Sequence, residues 1–202
     1  MNRPLRILSI KGSVNTDSLS SHINDYLVQK IMDKHQKSFV ELVDLNDTPF
    51  AKYSLNANNM PKFFEKTESD YWIEQLKNTD LLIISTPMIN FNYSSLIKNF
   101  LDSIAVANKT FSYKYSEKGG SIGLLTNLKV LIVATQGAPE GWYEFGNHVK
   151  NLEGFFNFVG ANQIESILIA GTKVEPLKSL NFDEITTLYG AKLEEIATKF
   201  DN

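Results

Sequence analysis

Two runs in this chain, Leu81–Ile84 and Val130–Ala134, are apolar at every position. A strand with one wet face alternates apolar and polar side chains, because successive Cβ atoms point to opposite sides of the sheet. A strand without polar alternates is covered on both faces, the situation of a parallel sheet between layers of helices. The intervening sequence supplies the helices. "SLSSHINDYLVQKIMDK", from Ser18, places Leu19, Ile23, Tyr26, Leu27 and Ile31 at helical spacing behind a serine suited to the N-cap. Helical patterns recur over Lys62–Asn78 (with Phe63, Tyr71, Ile73 and Leu76 as its buried positions), over Ser94–Ala107, within Trp142–Gly160 and over Phe182–Phe200. Strand patterns occupy 5–10, 38–45, 80–86, 129–135 and 163–171, while 49–59 is polar and irregular.

Five strands alternating with helices predict an α/β fold with helices on both faces of a five-stranded parallel sheet. The expected strand order is 2-1-3-4-5, the flavodoxin-like arrangement. With 202 residues and no repeat or low-complexity linker, one domain is expected over 1–202.

Composition narrows the function. The net charge is −3 and both signs are spread along the chain, so no nucleic-acid footprint and no polybasic membrane segment is visible. The absence of cysteine excludes disulfides, thiolate metal sites and cysteine nucleophiles, and no metal site is expected. The opening "MNRPLRILSIKGS" has a short apolar run broken by Arg6 and followed by Lys11, unlike a signal peptide, and no run reaches the roughly 18–20 apolar residues of a membrane span. The expectation is a cytoplasmic protein, in which the Asn-x-Ser/Thr triplets at Asn46, Asn92 and Asn108 are chance matches.

Open parallel sheets bind ligands beyond the carboxyl ends of their strands, near the point where strand order reverses. That rule selects three loops: Lys11–Ser20, Thr86–Ser94 and Thr135–Trp142. In the first, Gly12 permits a tight turn, Ser13, Ser18 and Ser20 offer hydroxyls, and the helix start offers free N–H groups. It reads equally as a phosphate cradle and as a structural serine-rich cap. It contains neither GxxxxGK[ST] nor GxGxxG. In the second, Pro87 closes the strand, Met88 and Phe91 present polarizable and aromatic surface, and Asn90 can donate and accept. The same residues can instead plug the core, with Asn90 satisfying a turn. In the third, Gly137 and Gly141 allow close backbone approach, Thr135 and Gln136 add polar groups, and Trp142, Tyr143 and Phe145 follow as core, interface or ligand contacts.

The stretch "TPMINFNYSSLIKNFLDSIAVANKTFSY" resembles a segment of the FMN-dependent NADH-azoreductase family, also called FMN-dependent NADH:quinone oxidoreductases. That family's pattern is Pro-Met-Tyr-Asn-Phe, a helix with Leu-Lys and Asp, then Gly-Lys-Thr-Phe. This chain has Pro87, Met88, Ile89, Asn90 and Phe91, then Leu96, Lys98 and Asp102, then Asn108, Lys109, Thr110 and Phe111. "SIGLLTNLKVLIVATQGA" and "FFNFVGANQIESILIAG" resemble two later family segments, so the likeness spans nearly the whole chain. It implies a flavodoxin-like homodimer with one FMN per subunit near the interface. Ser13 and Ser18-Leu19-Ser20 match the phosphate side. Pro87, Met88, Ile89, Asn90 and Phe91 match the segment along the isoalloxazine ring, and Thr135, Gln136, Gly137 and Ala138 match a Ser-Arg-Gly-Gly loop at its pyrimidine edge. Phe111, Tyr113, Phe156 and Phe158 are candidates to reach a partner's flavin or substrate; alternatively the group is a core stripe, since Phe155 and Phe158 fall at helical i, i+3 spacing. The departures are Ile89 for tyrosine, Gln136 for arginine, Ala138 for glycine, and Pro139-Glu140 where many relatives carry a histidine.

The implied chemistry is ping-pong transfer of two electrons from NADH to quinones or aromatic azo compounds, with no acid–base side chain required. Accordingly His22 and His35 are expected at the surface and His148 in a structural role. The alternatives are a flavodoxin-like electron carrier, a general NAD(P)H:flavin or chromate reductase, and a flavin-free interaction module. Gly119-Gly120-Ser121-Ile122-Gly123 matches GxSxG, but it lies in a polar loop before a strand, where a nucleophile elbow needs a strand before and a helix after.

Overall fold

The computed structural model describes residues 4–114 and 120–201. Its strands are β1 (Arg6–Lys11), β2 (Phe39–Asp44), β3 (Leu81–Pro87), β4 (Phe111–Ser112), β5 (Ile122–Gly123), β6 (Lys129–Gln136) and β7 (Gln163–Ala170). Five of them form one sheet in the order β2-β1-β3-β6-β7, every neighbouring pair parallel. This is the expected flavodoxin-like order, because β4 and β5 pair only with each other, antiparallel. The helices are α1 (Leu19–Lys34), α2 (Met60–Lys66), α3 (Ser69–Lys77), α4 (Ser95–Ile104), α5 (His148–Phe158), α6 (Phe182–Leu188) and α7 (Gly190–Thr198).

The register explains the all-apolar strands. Ile84 lies level with Ile10 and Ile132, and this layer packs on α3, α4 and α5 through Ile73, Phe100 and Phe156. Ile83, one residue earlier, lies level with Leu131 and faces the opposite layer, where Ile23, Leu27 and Leu193 of α1 and α7 cover it. Each such fully covered side chain contributes about 1.5–3 kcal/mol relative to exposure.

Two helical expectations change. Lys62–Asn78 is two helices, broken at Glu68, which takes a left-handed φ of 54°. Polar bonds pin the break to the end of α4: Thr67 Oγ1 lies 2.8 Å from Ser103 Oγ, and Ser69 Oγ donates to Ser103 O at 2.6 Å. The break shifts the apolar stripe, so Trp72 is buried and Tyr71, expected inside, is exposed. Phe182–Phe200 also divides, at Tyr189, and within Trp142–Gly160 the helix starts only at His148. His35, expected at the surface, is buried beside Asp201 at 3.5 Å. The 49–59 segment buries Phe50 completely against Trp72 and Phe100. In the GxSxG match, Gly119 lies outside the described residues, and Ile122–Gly123 is β5 with no helix directly after it.

Candidate active site

The parallel strands end together, and the loops that follow converge on a cavity of about 390 Å³. Ser18 and Leu19 line it from the start of α1, Pro87, Met88 and Ile89 from the end of β3, and Thr135, Gln136 and Gly137 from the end of β6. Ser13, Ser20, Asn90, Phe91 and Ala138 are not among its lining residues. The volume falls within the range of about 300–1,000 Å³ usual for small-molecule sites.

At one end the wall is built of hydroxyls and backbone. Gly12 N donates to Ser85 O at 2.8 Å, and the Ser94 hydroxyl donates to Gly12 O. Asn46 Nδ2 donates to Ser13 O at 2.8 Å, and Ser13 Oγ accepts from Asn15 N at 3.1 Å. The Ser18 and Ser20 hydroxyls lie 3.0 Å apart. Ser18 occupies the N-cap position in extended conformation but makes no side-chain cap bond. The first N–H groups of α1 therefore have no intrahelical partner and carry the positive end of the helix dipole. This arrangement suits an anion such as a phosphate.

The opposite end is strained and aromatic. Ile89 N donates to Asn92 O at 2.7 Å and Asn92 N to Ile89 O at 3.1 Å. Between them Asn90 and Phe91 both have positive φ, 46° and 73°, as in a type I′ turn. Asparagine tolerates this region; phenylalanine does not, at a cost of order 1–3 kcal/mol. Phe91 is held there by Tyr143 and Phe145, whose ring centroids lie 5.0 and 4.8 Å away. Not all amides of this segment are free. The turn uses those of Ile89 and Asn92, and Met88 N donates to Thr135 O at 2.7 Å. The Asn90 and Phe91 amides have no protein acceptor among the described residues.

The third wall is zipped to a segment that sequence reasoning missed, the loop after β7. Gly171 N donates to Ala138 O, Thr172 N to Gln136 O and Lys173 N to Gly137 O, at 2.8, 3.1 and 2.9 Å. Leu177 and Lys178 extend that wall of the cavity. A Gly-Thr-Lys sequence just past the fifth strand was the signal that could have found it. Gln136 does not stand in for an arginine. Its side chain is buried and donates to Ala138 O at 3.0 Å and Pro139 O at 3.2 Å, so it holds the loop closed on itself. Ala138 is not among the positive-φ residues, so the loop needs no glycine there.

The interface candidates separate. Phe158 and Tyr113 are exposed and flank Phe111, with centroids 4.7 and 5.4 Å from its ring. Phe156, expected near a partner's flavin, is wholly buried: Leu152, Phe156 and Val159 follow helical spacing and face the sheet. This corrects the interface reading for Phe156, and the buried stripe runs through Phe156 and not, as the i, i+3 spacing of Phe155 and Phe158 suggested, through Phe158. His148 is also inside, 1% exposed, and burial pushes its pKa down to about 4. It borders a second cavity, of about 520 Å³, between the 140–150 segment and β7. That cavity does not include the start of α1 or the end of β3.

An open doubly wound sheet with a cleft at its carboxyl edge, lined by a serine-bearing helix start and by the ends of β3 and β6, is the arrangement of the flavodoxin-like class. The Flavodoxin_2 family model, described as a flavodoxin-like fold, matches residues 5–192. Among curated proteins, the chain is 43% identical over 192 residues to an FMN-dependent NADH:quinone oxidoreductase of Malacoplasma penetrans, covering 91% of each chain. It is 42% identical over 199 residues to one of Mycoplasma genitalium, covering 96% of this chain and 99% of the relative. The chain belongs to this family of FMN-dependent NADH:quinone oxidoreductases. Among solved structures, an azoreductase from Bacillus anthracis strain Sterne superposes with TM-score 0.80 at 19% identity, covering 96% of this chain and 99% of that one. An FMN-dependent NADH-azoreductase from Bacillus anthracis, in complex with FMN, gives 0.76 at 23% identity, covering 98% and 100%. At these identities the superpositions carry the fold. Among the described residues, no helix is long and apolar enough to cross a membrane and no cluster of metal-ligating side chains occurs.

Proposed function

We propose that the chain is an FMN-dependent NADH:quinone oxidoreductase, cytoplasmic and homodimeric, that accepts aromatic azo compounds as alternative oxidants. One observation carries the reading: a single cavity joins the hydroxyl and N–H groups at the start of α1 to an apolar wall of Pro87, Met88 and Ile89. That donor set fits FMN, which has a phosphate at one end and a flat ring with a polar edge at the other. When bound, FMN supplies the redox chemistry, taking hydride from NADH and passing two electrons to the acceptor.

The chain's own residues do the rest. Ser18, Leu19 and the N–H groups that open α1 hold the phosphate, and buried Ser13 and Ser20 set the loop's shape. Pro87, Met88 and Ile89 support the ring. The Asn90 and Phe91 amides and those of Gly137 and Ala138 face its polar edge, where preorganised donors favour added negative charge. Phe91, Tyr143 and Phe145 bound the slot for a flat acceptor. Exposed Trp142, Tyr113 and Phe158 fit a contact with a second copy, since exposed aromatic groups of this size mark association sites. This reading takes 1–202 as one FMN-binding domain, supported by a single five-stranded sheet with core on both faces.

The test is the visible spectrum of the protein reconstituted with FMN, followed anaerobically. Flavin bands that bleach with NADH and return on adding a quinone are expected. Bands that persist with NADH and NADPH point to a carrier, and failure to bind FMN refutes the reading. Sedimentation should give a dimer.

A further inference from the structure

We infer that Lys173, on the loop after β7, supplies the positive charge at the cofactor's pyrimidine edge that Gln136 cannot. The inference rests on the FMN reading above. Gln136 is spent on Ala138 O and Pro139 O and carries no charge toward the cavity. Lys173 is tied to the same loop from the other side, its N–H donating to Gly137 O at 2.9 Å. Its stem runs along Gly137: a Cβ built there would meet Lys173 Cδ at 2.9 Å, Cγ at 3.0 Å and Cβ at 3.5 Å. Gly137 thus leaves the groove in which the lysine lies, and the stem is positioned by packing as well as by the chain.

The charge is available. Lys173 makes no ion pair or side-chain hydrogen bond among the described residues, whereas Lys11, Lys98, Lys109 and Lys199 each meet a carboxylate. The charged residues that line the cavity are Lys173, Lys178 and Asp17, the last beside Ser18 at the start of α1. Hydride arriving from the nicotinamide donor brings two electrons and one proton. The donor leaves as a pyridinium cation, and the cofactor ring gains one unit of negative charge. A cation beside the loop that borders the ring binds the reduced cofactor more tightly than the oxidised one, and so raises the reduction potential. The alternative anion for the same ammonium is a phosphate of the nicotinamide donor.

The experiment measures the midpoint potential of bound FMN, together with FMN affinity by fluorescence quenching, in the wild type and in Lys173→Met, Lys173→Arg and Lys62→Met. Methionine keeps most of the stem and removes the charge. Lys173→Met should weaken binding of reduced relative to oxidised FMN by about tenfold, which lowers a two-electron potential by about 30 mV. Lys173→Arg should restore the wild-type value, and Lys62→Met, exposed on α2 and outside the cavity, should leave it unchanged. Equal potentials in the wild type and Lys173→Met, with FMN bound to both, overturn this inference and leave the functional reading standing. A changed KM for NADH without a changed potential overturns it in favour of the donor's phosphate. A wild type that holds no FMN overturns both.

Discussion

The two ends of the cleft are built by opposite means. Before α1, neutral hydrogen bonds fasten the buried first residues of the loop to the sheet, to the cap of α4 and to Asn46: Gly12 N to Ser85 O, the Ser94 hydroxyl to Gly12 O, and Asn46 to Ser13 O. At the end of β3, two residues of left-handed φ stand in a turn propped by partly exposed rings. The first end is made of groups any anion can use, and its geometry is fixed by the core. The second spends backbone strain and exposed apolar surface on a particular shape. A site can therefore keep a common cofactor grip while the ring-side slot varies.

Acid should separate the two ends most strongly. The three bonds named at the hydroxyl end join neutral groups, while the segment that carries Tyr143 and Phe145 runs into His148, the buried first residue of α5. The folded imidazole has a pKa of about 4, below its ordinary value of 6.5, so the unfolded chain takes up the proton first. Stability from this group is intact above about pH 6.5 and falls as pH drops toward 4, by about 3 kcal/mol in all at about 1.4 kcal/mol per pH unit. Denaturant titrations across that window should show the slope, and His148→Leu should flatten it. An unchanged slope in the variant would mean that the anchor is not the imidazole.

Gly12→Ala attacks the other end. The added methyl would sit 2.3 Å from Ile97 Cδ1 and 3.1 Å from Ser85 O, with Ile97 fully buried. Overpacking of this kind costs about 1–3 kcal/mol, so FMN affinity and melting temperature should fall together. Loss of FMN at unchanged stability would show the loop to be less rigid than its bonds imply.

Phe91→Gly should reverse that pattern. Glycine removes the backbone strain while the ring contacts are lost, leaving stability within about 1 kcal/mol. The KM for a quinone should rise about threefold to tenfold, matching the loss of about 0.5–1.5 kcal/mol of aromatic contact, with FMN affinity little changed. Trp142→Ser should have the smallest effect on folding, below about 0.5 kcal/mol, because the side chain is 63% exposed. Sedimentation of this variant tests whether the aromatic surface belongs to the dimer contact.

Much of the molecule was legible in advance because parallel-sheet strands announce themselves. Leu81–Ile84 and Val130–Ala134 have no polar alternate, and that alone requires cover on both faces. The three candidate loops followed from strand ends, and Ser18, Met88, Ile89 and Gly137 do meet at one cavity. Helix breaks were illegible because their causes are remote in sequence: the left-handed Glu68 is stabilised by Thr67 and Ser69 bonding to Ser103. The fate of Phe156 against Phe158 was equally hidden, since both are apolar residues on one helix and only the direction of the sheet distinguishes them.

The sequence by itself determined the layers, the strand order and the edge at which chemistry occurs, since apolar periodicity and chain connectivity leave few other topologies. Tertiary structure alone decided which amides remain free, that Gln136 turns inward, and that Lys173 lies against Gly137. Lys173 meets Gly137, and Met88 meets Thr135, across more than thirty residues, and even for Gln136, whose acceptors are near in sequence, no local pattern encodes which of several possible hydrogen-bond partners a buried polar group will meet.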